Sequence, residues 1–296
     1  MSAADIQHYL ATGDSDPIAA VWPGDGVLER CVTADRQLRA ALIEEVQRRA
    51  SVSADGVPAG FDPQAHSREV LRPMVEGLFR AEERAIVLEL LVDSQVFVTA
   101  DTIVEAVRSA SFLSTAWSVA NLYLRSVGAP ELAPGAGAML GLCAGSESYV
   151  GLDYFRTQRP FDDFLIHEAA HVFHGCRRHE LGLAEKRGRT WLLPIDFHDQ
   201  ENFAYACEAY GWIARQTRVL AERTGLARQF AKTFSPGDPT VSRDKVCAVV
   251  QAAAGRRNGW RVILDHCSEK STRHRKRLEP HAAPVQSRSD ALASSL

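Results

Sequence analysis

Phe164-Leu165-Ile166-His167-Glu168-Ala169-Ala170-His171-Val172-Phe173 is the stretch on which the reading of this chain turns. On an α-helix, positions four apart lie about 40° apart on one face and about one turn apart along the axis. Two imidazoles in that relation, here His167 and His171, can share one metal ion, and Glu168 projects beside them. With 10 histidines in 296 residues, this H-E-x-x-H pattern would arise by chance in only about 2% of such chains. The flanking residues Phe164, Leu165, Ile166, Val172 and Phe173 carry no charge, as a helix inside a domain requires. Pro160 suits a first turn, Asp162 and Asp163 suit the positive N-terminal end, and Gly175 offers a stop, so the sequence predicts a helix over 160–174.

A catalytic zinc needs a third protein ligand and one position left for water. In the metzincin continuation a glycine and a third histidine would stand where this chain has His174 and Arg177, so that pattern is absent. Three ligands from one straight helix do not surround a metal, and His174 is therefore read as a core histidine or a support for the ligands. An upstream cysteine, as in the deformylase arrangement, would be Cys143, but the sequence around it does not resemble that family. The remaining donors lie in Asp199-Gln200-Glu201-Asn202-Phe203-Ala204-Tyr205-Ala206-Cys207-Glu208-Ala209-Tyr210. This segment predicts a second helix, with Asp199 as N-cap and a run to about Thr224 before Gly225. Glu201 and Glu208 are seven apart, only about 20° out of line on one face, and either can complete a His-His-Glu set.

With these residues the chain resembles the gluzincins, the thermolysin-like zinc metallopeptidases. Several of those families follow the ligand glutamate with an aromatic-alanine pair, and Glu201-Asn202-Phe203-Ala204 has that order. The resemblance covers roughly residues 160–215. It implies zinc held by His167, His171 and Glu201, with Glu208 as the alternative ligand or as the residue that holds a zinc histidine. Many gluzincins place that holding carboxylate four positions after the ligand, where this chain has Tyr205. The implied activity is hydrolysis of peptide bonds in a peptide or protein substrate, with Glu168 as the general base for a zinc-activated water. The oxyanion donor would come from Tyr205, Tyr210, His198 or Arg177, with Tyr205 taken as the working choice. Two other functions share the motif: hydrolysis of a non-peptide amide, and a regulatory or binding protein whose zinc is structural.

The expected fold class is α+β and mainly helical, a zincin-like domain with a helical N-terminal lobe. Residues 1–135 read as helices over 27–50, 68–92 and 101–127 around a loop near 51–63, forming a lobe that closes a groove over the zinc domain. Residues 136–267 form that domain. Ser146–Phe155 favours strand, either an ordinary internal one or one that pairs with extended substrate. Trp191–Phe197 reads as a proline-interrupted loop walling a pocket, and further helix follows over 241–255. Residues 268–296 carry the basic cluster Lys270, Arg273, Arg275, Lys276 and Arg277 before an Ala/Ser/Pro-rich end, and read as a disordered tail.

At 46% hydrophobic the chain can bury a sizeable core, and a net charge of −3 makes no general case for a nucleic-acid partner. No apolar run reaches membrane-spanning length. The start Met1-Ser2-Ala3-Ala4-Asp5 has no signal-peptide pattern, and the 6 cysteines show no C-x-x-C spacing. These features set the expectation of a cytoplasmic protein with free thiols.

Overall fold

The computed structural model describes residues 3–50, 58, 60–133, 141–144, 147–156, 159–185 and 190–268. The expected tail, beyond Ser268, and the side chain of Cys143 lie outside the described residues. The architecture is mainly helical with one small sheet, and no described helix is long and apolar enough to cross a membrane.

Helices α1 (Ala3–Thr12), α2 (Val27–Ala50), α3 (Pro63–Leu78) and α4 (Ala81–Asp93) lead to strand β1 (Gln95–Phe97). Helices α5 (Ile103–Ser109) and α6 (Leu113–Ser126) precede β2 (Gly141–Ala144) and β3 (Glu147–Val150). Then come α7 (Asp153–Arg156), α8 (Phe164–Gly175), α9 (Gln200–Gln216), α10 (Leu220–Thr233), α11 (Arg243–Ala254) and α12 (Gly259–Cys267).

The sheet runs in the order β1-β3-β2 and separates two apolar clusters. Alternation along β3 explains the division, because successive side chains leave a strand on opposite faces. Tyr149 joins the cluster of α1, α2, α5 and α6, whereas Val150 joins the cluster of α3, α4 and α8 to α12. The second cluster holds both motif helices, so α3 and α4 share a core with residues beyond 136 and the apolar packing cuts across the 135/136 boundary. β3 pairs in parallel with β1 and antiparallel with β2, Tyr149 lying opposite both Val96 and Leu142. With both edges occupied, β3 is an internal strand and has no free edge for substrate. The strand also ends at Val150, and Asp153–Arg156 turns into helix.

Other boundaries move for local reasons. The 68–92 segment is two helices, because Phe79 and Arg80 are both extended between α3 and α4. α3 begins earlier, at Pro63, where Asp62 accepts hydrogen bonds from the N–H groups of Gln64 and Ala65. α8 begins at Phe164, not at 160, because Phe161 takes φ +74° and Asp163 becomes the N-cap. α9 stops at Gln216: Thr217 and Val219 are extended, and Gly225 falls inside α10 instead of ending a helix. Asp199 precedes α9, but its carboxylate makes no cap and instead pairs with Lys245 on α11. Trp191–Phe197 runs behind α8, with Leu193 N–H donating to the Phe173 carbonyl. Ser268, which the sequence reading put at the start of the tail, bridges to Ile195.

α9 is buttressed from behind by α12. The N–H of Gly259 donates to the Tyr210 hydroxyl at 3.1 Å, and Trp260 meets the Tyr210 ring edge-on at 4.9 Å. A Cβ on Gly259 would lie 2.4 Å from the Tyr210 ring and 2.6 Å from the Ala253 carbonyl oxygen, neither of which can swing away. Gly259→Ala should therefore destabilise the fold by about 1–3 kcal/mol and lower Tm by ~2–10 °C in a thermal melt. An unchanged Tm would refute this close approach.

Candidate metal centre

α8 is apolar on the sides that enter the core, with Leu165, Ile166, Ala169, Ala170, Val172 and Phe173 buried. Each fully buried large side chain contributes roughly 1.5–3 kcal/mol, and their spacing leaves His167 and Glu168 in the wall of a cavity, with His171 one turn along the helix from His167. Across from them, α9 presents Glu201, Tyr205 and Glu208 at intervals of about one turn.

His167, His171 and Glu201 meet. The His167 Nε2 is 3.8 Å from Glu201 Oε2, and the His171 Nε2 is 3.6 Å from Glu201 Oε1. One donor atom from each of the three lies within 4.8 Å of the other two. Zinc bonds of about 2.0–2.1 Å at tetrahedral angles hold ligand atoms roughly 3.4 Å apart. Two imidazoles and a carboxylate at this separation therefore fit a zinc ion with only small side-chain rotations.

Glu208 falls outside this trio and holds it in place. Its Oε2 is 3.1 Å from His167 Nδ1, and its Oε1 accepts the Asp163 N–H at 2.8 Å. A proton on His167 Nδ1 donated to Glu208 leaves the Nε2 lone pair free for a metal. His171 is supported likewise, with its Nδ1 3.0 Å from His174 Nε2. Burial pushes the pKa of His171 down to about 3 and that of His174 to about 4, so both are neutral at ordinary pH, as a metal ligand must be. Burial also works against charge on His167, but the hydrogen-bonded Glu208, with Glu168 and Glu201 close by, raises its pKa overall. Burial likewise raises the Glu201 carboxyl, against the opposing pull of His167.

The cavity that reaches His167 measures about 620 Å³. Its lining includes Asp162, Phe164, His167, Glu168, Tyr205, Glu208 and Phe234. All the lining residues fall within 159–237, so the groove runs among α8, α9, α10 and the loop after α10, and not between residues 1–135 and the zinc helix as the sequence suggested. Glu168 is buried at the cavity wall. Tyr205 stands edge-on to the His167 ring at 4.7 Å, and burial pushes its hydroxyl up to about 12, keeping the O–H intact. The other oxyanion candidates are elsewhere. Tyr210 is buried and accepts the Gly259 N–H, Arg177 lies over the Trp191 ring at 5.3 Å, and His198 is exposed on a short 3-10 turn.

Sequence reasoning missed the clasp formed by Asp163 and Arg215. Asp163 caps α8, gives its N–H to Glu208 and, itself buried, forms an ion pair with the solvent-exposed Arg215 at the end of α9. The only signal in the chain was an aspartate at a cap position, which many helices have. Comparison with protein-family models, curated proteins and solved structures finds no match to this chain.

Replacing Glu208 with Gln puts an amide where two hydrogen bonds need acceptors. Zinc affinity, measured by competition against a chelator, should fall by about 10–100-fold with the fold retained. Wild-type affinity in a folded Glu208→Gln protein would remove Glu208 from the centre.

Proposed function

We propose that this chain is a zinc-dependent metallopeptidase of the gluzincin type, built on a zincin-like site, with a peptide or protein as substrate. One observation carries the reading: Glu201, thirty residues from His171, is brought to within bonding geometry of both histidine Nε2 atoms. The open cavity that reaches His167 and Glu168 favours a catalytic over a structural centre, because structural zinc sites are closed by four protein ligands.

Zinc held by His167, His171 and Glu201 would supply a Lewis acid and lower the pKa of a water toward neutrality. The chain's own residues do the rest. Glu168 takes a proton as the water oxygen attacks the scissile carbonyl carbon, and returns it to the nitrogen as the C–N bond breaks. Tyr205, with its hydroxyl proton retained, donates a hydrogen bond to the developing oxyanion. Among the described residues no side chain partners the Tyr205 hydroxyl, so it is available for that bond. Glu208 and His174 keep the two imidazoles from turning during the cycle.

Two measurements test this. The purified protein should bind one zinc per chain by elemental analysis, and Glu201→Ala should weaken that binding at least about 100-fold, since it removes a direct ligand. Equal zinc affinity in the Glu201→Ala protein would rule out the His-His-Glu set. Digestion of a mixed peptide library, read by mass spectrometry, should show cleavage that falls by about a hundredfold or more in Glu168→Gln with zinc content level. Undiminished cleavage by the folded variant would remove Glu168 as the base, and absence of any cleavage by the zinc-loaded wild type would sink the peptidase reading.

A further inference from the structure

The segment from Arg159 to Phe164 separates two cavities. The larger, about 620 Å³, is the one beside His167 and Glu168; the smaller, about 310 Å³, reaches His66, Tyr154 and Trp212. Both share Arg159, Asp162 and Phe164 in their walls. Phe161, at φ +74°, turns its ring into the core against Trp212 at 4.8 Å and Phe230 at 5.5 Å. Its neighbour Asp163 is buried in the clasp, and Asp162 between them is left exposed at the junction of the cavities.

The carboxylates at the larger cavity differ in their commitments. Glu208 is spent on His167 and the Asp163 N–H, and Glu168 stands at the metal centre. Asp162, among the described residues, makes no side-chain hydrogen bond and no ion pair. The wall of this cavity also carries the rings of Phe164, Tyr205 and Phe234, the last two 5.7 Å apart. Arg159 is exposed on the same rim, one cation against three carboxylates.

On the metallopeptidase reading, on which this inference rests, we propose that Asp162 is a specificity-determining residue. The cavity takes a lysine or arginine side chain of the substrate, its methylenes against the rings and its cationic head on Asp162. A long aliphatic stem with a charged tip suits an apolar wall that ends in a carboxylate. A neutral chain of the same length would cover Asp162 without pairing it, which costs free energy. An acidic chain would face Asp162, Glu168 and Glu208 at once, and like charges repel.

Amino-acid hydroxamates test this without relying on turnover, because the hydroxamate group binds zinc directly and the side chain probes the cavity. Calorimetry on the zinc-loaded full chain should show lysine hydroxamate binding about tenfold tighter than norleucine hydroxamate, which has the stem without the charge. Glutamate hydroxamate should bind weakest. Asp162→Asn should bring the lysine and norleucine probes to within about twofold, and Asp162→Lys should reverse the order of the lysine and glutamate probes. Equal binding of lysine and norleucine hydroxamates by the wild type overturns the inference while leaving the zinc centre intact, as does a lysine preference that survives in Asp162→Asn. Failure of every hydroxamate to bind zinc-loaded protein overturns the catalytic reading and this inference together.

Discussion

The two bonds made by Glu208 are the constraint on which the rest of the centre depends. One carboxylate oxygen holds the His167 ring and the other takes the N–H at the start of the same helix, so a single α9 side chain grips α8 at two points. Charge-assisted bonds of this kind contribute about 1.5–3 kcal/mol each. The Asp163–Arg215 ion pair repeats the grip at the end of α9. Burial raises the pKa of Asp163 even with Arg215 beside it. With Arg215 exposed to solvent, the pair is thus worth more as a geometric lock than as a source of stability. With the two helices fixed this way, Glu201 cannot drift from the histidines without stretching bonds at both ends of the contact.

The same arrangement shapes the charge of the site. Glu168, Glu201 and Glu208 surround two histidines, of which His171 is kept neutral by burial. Three carboxylates gathered in a partly desolvated space repel one another and favour a positive charge among them, and the raised pKa of His167 expresses that tendency.

Much of the centre could be read before the fold was seen. H-E-x-x-H predicts its own geometry, because a helix converts a four-residue spacing into one face. The seven-residue spacing of Glu201 and Glu208 likewise places both on the facing side of α9. Which of them meets both histidine Nε2 atoms was not legible, since both satisfy the same angular condition. It is decided by how far along α8 the second helix crosses, and that depends on Gly211, Tyr210 and the helices stacked behind them. A Cβ on Gly211 would stand 2.3 Å from Ile166 of α8, so this position sets how closely the two helices can approach.

By itself the sequence determined a mainly helical chain, the long helix α2 at Val27–Ala50, and a histidine pair on one helix with acids on another. These are consequences of local periodicity, which neighbouring residues set among themselves. The tertiary structure alone decided where helices stop, as at Phe161, whose left-handed turn is held by the burial of its ring between Trp212 and Phe230. It decided that β3 is an inner strand, because β1 comes from a segment some fifty residues earlier that the sequence left between two helices. It also decided that the cavity lies among α8, α9 and α10, leaving Asp162 exposed in its wall. Each of these depends on contacts between residues far apart in the chain, whose free energies outweigh local preference and leave no periodic trace in the sequence.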